Sequence, residues 1–143
     1  MGHKVLLCDD EFPILKAAEF KLKRAGFAVE CAQDGETAWS VISKVFPDLI
    51  ISDYQMPRLD GIELLARVRG FEPTRETPFI LLTGKGFELD REKLEKTLKV
   101  TEVLPKPFSP RDLLERVVSI LGRPAIAPQA AEPGLALEIN TTG

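Results

Sequence analysis

The chain predicts an α/β domain over residues 1–122, a five-stranded parallel sheet with helices on both faces. Three observations predict it. Short unbroken apolar runs recur, among them Val5-Leu6-Leu7-Cys8, Leu49-Ile50-Ile51 and Phe79-Ile80-Leu81-Leu82. A strand that is apolar at consecutive positions is covered on both faces. Between these runs lie apolar stripes at three- and four-residue spacing, the mark of amphipathic helices. The two periods alternate along the chain, and that alternation asks for a parallel sheet with right-handed helical crossovers.

Taken in order, the first strand is Val5 to Cys8 and stops at Asp9-Asp10. Ile14, Leu15, Ala18, Leu22 and Ala25 then form a helical stripe, with Pro13 suited to its first turn and Gly26 to its end. Phe27 to Ala32 is the second strand, and Gly35 reads as a break. Ala38, Val41, Ile42 and Val45 make the second helix, stopped by Pro47. Leu49 to Ile51 is the third strand, ending at Ser52-Asp53. Ile62, Leu65, Val68 and Arg69 read as the third helix after Gly61. Phe79 to Leu82 is the fourth strand, ending at Thr83-Gly84. A charged segment from Glu88 to Lys99 follows, anchored weakly by Leu89, Leu94 and Leu98. Val100 to Leu104 is the fifth strand, stopped by Pro105-Lys106-Pro107. Ser109 is a good N-cap with Pro110 behind it, and Leu113, Leu114, Val117, Val118 and Leu121 complete the last helix before Gly122. Residues 123–143 are rich in Ala and Pro and lose all periodicity, so they read as a disordered tail or linker.

Composition narrows the function. There are 143 residues, 44% hydrophobic and 29% charged, with a formal net charge of -3. That is an ordinary globular composition, long enough to bury roughly 70% of the unfolded surface. The mild acidity argues against direct nucleic-acid binding, which favours a basic surplus. No apolar run reaches the ~20 residues of a membrane span, and no signal peptide is visible. Cys8 and Cys31 lie in apolar runs and read as buried, reduced thiols of a cytoplasmic protein. A single histidine, His3, excludes most zinc sites and reads as a surface residue. Trp39 and Phe46 read as packing residues.

The polar residues gather at the carboxyl ends of the strands, where open parallel sheets bind ligands. Asp9-Asp10 follow the first strand, Asp53 the third, Thr83 the fourth, and Lys106 the fifth. If the strand order is 2-1-3-4-5, the first and third strands are neighbours. Three carboxylates then converge with a hydroxyl and an ammonium nearby. Repulsion among half-buried acids raises their pKa values, and a hard divalent cation relieves it. Mg2+ suits such a set, since it uses one or two carboxylates together with phosphate oxygens. The rim therefore reads as a magnesium-dependent phosphoryl site. As helix caps alone Asp9 and Asp10 are less well explained, because a third acid stands opposite.

Four motifs carry a resemblance. Val5-Leu6-Leu7-Cys8-Asp9-Asp10-Glu11, Asp48 to Pro57 with Asp60-Gly61, Leu82-Thr83-Gly84 and Lys106-Pro107-Phe108 occur in the same order and at compatible spacing. Together they resemble the CheY-like receiver domain of two-component response regulators, over residues 3 to 122. The resemblance implies a flavodoxin-like (βα)5 fold and a phosphorylation-dependent switch. It implies that Asp53 accepts a phosphoryl group from a sensor histidine kinase or phosphotransfer protein. It implies Mg2+ held by Asp10, Asp53 and the backbone carbonyl of Gln55, with Asp9 acting through water. Thr83 would donate to a phosphoryl oxygen, Lys106 would pair with the carboxylate and then the phosphoryl group, and Lys106-Pro107 would be cis. Such a domain is not an enzyme in its own right but assists its own phosphorylation and dephosphorylation. Its output is a downstream protein target or self-association, with no direct contact to nucleic acid or membrane.

One position departs from the family pattern. Three residues before Lys106, where an aromatic is usual, stands Val103. The switch is then expected to run through the Gly84-Lys85-Gly86 loop and the charged fourth helix. A phosphatase of the haloacid dehalogenase type needs a second acid two positions after the nucleophile, where this chain has Gln55. A flavodoxin-like electron carrier needs a neutral phosphate loop, where this chain has Asp9-Asp10-Glu11. No nucleotide-binding glycine motif is present. The remaining rival is a receiver-shaped interaction module that works without phosphate.

Overall fold

The structure is a computed structural model, and it describes residues 3–84 and 90–124. Five strands, β1 (Lys4–Cys8), β2 (Ala28–Ala32), β3 (Leu49–Asp53), β4 (Phe79–Thr83) and β5 (Glu102–Pro105), alternate with α1 (Phe12–Arg24), α2 (Gly35–Val45), α3 (Gly61–Gly70), α4 (Arg91–Leu98) and α5 (Pro110–Leu121). All strand pairings are parallel, as the apolar pattern requires, and the order is 2-1-3-4-5. The register sets Cys8 beside Ser52 and Asp53 beside Leu82, so the polar residues after β1 and at the end of β3 meet at one edge.

Each face of the sheet carries its own core. Leu6, Cys8, Ile50, Phe79, Leu81 and Val103 pack beneath α2, α3 and α4 with Ala38, Ile42, Leu64, Leu65, Val68 and Leu94. Val5, Leu7, Leu49, Ile51, Ile80 and Leu82 pack beneath α1 and α5 with Leu15, Ala18, Leu22, Leu113 and Val117. Because side chains alternate along a strand, Asp9 and Asp53 continue the second set and emerge on the α1–α5 side. At the opposite end of the sheet Trp39 packs edge-on to Phe71 at 5.5 Å, and Phe46 leans on the same ring while remaining half exposed.

Several local readings need correction. Gly35 does not break the chain but opens α2, capped by Asp34, whose Oδ1 accepts from Thr37 N–H at 2.8 Å. β5 begins at Glu102 rather than Val100, because Lys99 takes a left-handed turn after α4 and Thr101 spends its hydroxyl on Phe79 N–H. Arg69 is no apolar anchor: its guanidinium donates to the carbonyls of Leu98, Lys99, Arg75 and Thr77, tying α3 to the end of α4. A 3-10 turn, Glu72–Thr74, links α3 to β4 and had no periodic signal. Cys8 is buried but Cys31 only half so; both are free thiols. Burial pushes each thiol pKa up, that of Cys31 to about 11. No helix among the described residues is long and apolar enough to cross a membrane. Residues 85–89 and the Ala/Pro-rich segment from 125 onward, with the readings placed there, lie outside the described residues.

Candidate metal and phosphoryl site

Asp9 and Asp10 project where β1 gives way to α1. Pro13 near the start of α1 lacks an N–H that the first turn would leave unbonded anyway. Asp9 Oδ1 accepts from Glu11 N–H at 2.9 Å, so this acid does cap the turn while its other oxygen faces Lys106. Asp53 ends β3. Carboxylate oxygens of Asp9, Asp10 and Asp53 lie within 4.8 Å of one another. Asp9 and Asp53 are buried, and Asp10 is exposed. The cleft above them holds about 500 Å3 and is lined by Asp10, Glu11, Ile14, Asp53, Gln55, Gly84, Lys106 and Pro107.

Lys106 enters from the loop after β5, behind a cis peptide bond to Pro107. Its Nζ stands 2.8 Å from Asp9 Oδ2, 2.7 Å from Glu11 Oε1 and 3.4 Å from Asp53 Oδ1. Burial opposes the ammonium charge, but its close contacts with Asp9 and Glu11 prevail and push the pKa up. For Asp53 the balance runs the other way. Burial first, then repulsion from Asp9, raise its carboxyl to about 6 despite the attraction of Lys106. One ammonium is thus shared among three acids, with Asp53 the most distant.

The donor set fits Mg2+. Asp9 Oδ2 is fully buried and, with Lys106 beside it, still accepts no hydrogen bond of acceptable angle. Three clustered carboxylates beside one shared ammonium leave negative charge uncompensated, which is costly away from water, and a hard cation with oxygen ligands removes that cost. Gln55 lies on the same cleft, exposed at the crest of the loop after β3.

Thr83 ends β4, buried on the α2–α4 side, next to Gly84 on the cleft wall. Its carbonyl accepts from Lys106 N–H at 2.7 Å, which fixes the start of the lysine loop against β4. Val103 is buried against the core under α2–α4, so no ring occupies that position. All six predicted site residues, Asp9, Asp10, Asp53, Gln55, Thr83 and Lys106, therefore stand at the same end of the sheet.

A family model described as the response regulator receiver domain matches residues 5–118. The chain belongs to the response regulator receiver domain family. Chemotaxis response regulator CheY4 of Vibrio cholerae is 33% identical, with a TM-score of 0.76, covering 85% of this chain and 100% of that one. A putative response regulator from Chloroflexus aurantiacus is 34% identical with the same TM-score, covering 86% and 100%. The receiver domain of a Pseudomonas aeruginosa sensor histidine kinase, solved with a magnesium ion coordinated in its active site cleft, is 28% identical with a TM-score of 0.75, covering 85% and 99%.

Two features of this receiver domain escaped the sequence. Glu11 holds Lys106 from the rim; a third consecutive acid was the available signal. Asp34, buried at the start of α2, takes Arg58 Nη2 on its Oδ2 at 2.8 Å. The N–H of Thr37 first, then Arg58, hold its carboxyl down at about 2. Nothing in the spacing of residues 34 and 58 announces that pair.

Proposed function

We propose that this receiver domain is a phosphorylation-dependent signalling switch that accepts a phosphoryl group on Asp53 from the phosphohistidine of a sensor kinase or phosphotransfer protein. The observation that carries the reading is the gathering of Asp9, Asp10 and Asp53 within 4.8 Å, with Lys106 as the ammonium among them.

Asp10, Asp53 and the Gln55 carbonyl would hold Mg2+, with Asp9 acting through water, and the ion would neutralise the oxygens of the transferring group. A carboxylate is a competent nucleophile for this chemistry. An Asp53 oxygen attacks phosphorus as the P–N bond to the donor imidazole breaks, and the electron pair leaves with the ring. The product is an acyl phosphate. Phosphoryl transfer asks for positioning and charge compensation more than for a base, and Lys106 supplies a charge fixed by its neighbours. Thr83 would donate its hydroxyl to a phosphoryl oxygen. The domain is then a phosphoacceptor assisting its own modification rather than an enzyme with turnover.

The modified rim gains negative charge and acceptor oxygens. That shifts the population of arrangements of the loop after Thr83 and the α4–β5–α5 face. A protein target or a second copy that prefers the shifted arrangement then binds. This work is cytoplasmic and needs neither nucleic acid nor membrane. Incubation with Mg2+ and acetyl phosphate, followed by intact mass, tests the reading. One added phosphoryl mass, absent in Asp53→Asn, is the expected result. Folded wild-type protein without an adduct overturns it in favour of a docking module that ignores phosphate.

A further inference from the structure

The loop that carries Gln55 is anchored on either side of that residue. On one side Tyr54 N–H donates to Leu82 O at 2.7 Å, and Gly61 N–H donates back to Tyr54 O at 2.8 Å. A Cβ on Gly61 would collide with the backbone oxygen of Asp53, so the return of the chain is close. Met56 is buried, its sulfur 3.9 Å from Ser52 Oγ. On the other side Pro57 O accepts from Leu59 N–H at 2.8 Å and from Gly35 N–H at 3.4 Å. Gln55 therefore rides exposed between fixed neighbours.

The second anchor belongs to a distant part of the chain. Arg58 has φ 72, a left-handed conformation that a non-glycine residue keeps only where its surroundings impose it. Here the imposition is visible. Arg58 Nη2 pairs with Asp34 Oδ2, and the same oxygen accepts from Thr37 Oγ1 at 2.9 Å. Beside it Gly35 lies so close to Leu59 that a Cβ would strike that residue's backbone oxygen. Asp34 is buried and satisfied, while the Arg58 side chain is 66% exposed. An exposed arginine in a left-handed backbone is thus clamped on a buried acid 24 residues earlier.

We propose that Asp34 and Arg58 are positioning residues for the cation site: the N-terminus of α2 braces the loop so that the Gln55 carbonyl is held over the acid cluster. The inference rests on the proposed magnesium-dependent function. Pre-arranged oxygen ligands matter for Mg2+, which demands near-octahedral geometry, and residues behind a ligand commonly set its affinity.

The test is Mg2+ titration of the full chain by calorimetry, in wild type, Arg58→Ala, Arg58→Lys and Asp34→Asn, with melting curves in chelator. The control is Arg67→Ala, which removes a 3.6 Å exposed pair with Glu36 on the same stretch of α2. Arg58→Ala and Asp34→Asn should weaken Mg2+ binding by roughly tenfold or more, with the Gln55 amide resonance displaced. Arg58→Lys should recover part of the loss, and Arg67→Ala should bind as wild type. Folded Arg58→Ala and Asp34→Asn with wild-type affinity overturn the inference while leaving the phosphoacceptor reading intact. Wild-type protein that binds no Mg2+ overturns both. Equal losses in Arg67→Ala would assign the effect to general surface charge and overturn the brace.

Discussion

Asp34 and Asp53 stand at the same end of the sheet, and their surroundings treat them in opposite ways. Asp34 has two backbone or hydroxyl donors and a guanidinium, and its carboxyl is held down at about 2. Asp53 is as buried, faces Asp9, shares one ammonium with two other acids, and is driven up to about 6. One acid is structural because both its oxygens are hydrogen-bonded, three times in all. The other holds its charge in excess, pressed by burial and by Asp9. Among the described residues, the buried side-chain oxygen left without a hydrogen bond is Asp9 Oδ2, at the cleft.

The largest effect that would break this comparison is steric. Gly35→Ala places a methyl group against the backbone of Leu59, which cannot rotate away. Overpacking of this kind costs about 3 kcal/mol, and the cost should appear as an earlier midpoint in urea unfolding with the slope unchanged. A midpoint equal to wild type would mean that the brace yields easily and holds nothing in place.

How much of this was legible beforehand follows from the range of each interaction. The strands and helices were visible because Leu49-Ile50-Ile51 and Leu113-Val117-Leu121 bury themselves by local period, which the sequence displays directly. The acid cluster was legible because Asp9, Asp10 and Asp53 end runs whose neighbouring order follows from topology. Gly35 reads as a break in the sequence because its requirement comes from Leu59, distant in the chain. Arg58 and Arg69 were opaque for the same reason: each satisfies groups on another element, and an arginine on a surface announces no partner. Val103 is a legible departure whose effect on the switch depends on motion rather than on position.

A smaller effect with opposite sign comes from Asp53→Asn. The folded carboxyl sits near 6, above its ordinary 3.8, so the folded state binds the proton more readily than the unfolded one. Its ionised form therefore opposes folding above pH 6, and that penalty fades as pH falls from 6 toward 3.8. Removing the charge should stabilise the chain at pH 7.5 in chelator by about 2 kcal/mol, with Lys106 still paired to Asp9 and Glu11. The gain over wild type should shrink steadily toward pH 4. Asp34 supplies the contrast within the same melts. Its lowered pKa adds stability that is present above about 4 and lost as pH falls from there toward 2. A gain in Asp53→Asn that is constant between pH 7.5 and 4 would show that packing, not charge, separates the two aspartates.

The smallest expected effect sharpens the comparison most. Glu11 lies 2.7 Å from Lys106 Nζ, closer than either aspartate, yet its side chain is 56% exposed. An exposed partner contributes little, because water screens the pair and the free side chain keeps its entropy. Glu11→Gln should therefore change unfolding stability by less than about 0.5 kcal/mol, although it loosens the nearest contact of the lysine. Lys106 retains Asp9 at 2.8 Å and Asp53 at 3.4 Å, both largely buried, and those two should govern its position. Chemical denaturation in chelator, with and without the substitution, reads the difference. A loss of 2 kcal/mol or more, a size reserved for buried pairs, would place Glu11 among the groups that complete the cleft. The boundary between satisfied and unsatisfied acids would then run through the turn between β1 and α1, between Asp9 and Glu11, instead of between the cleft and its brace.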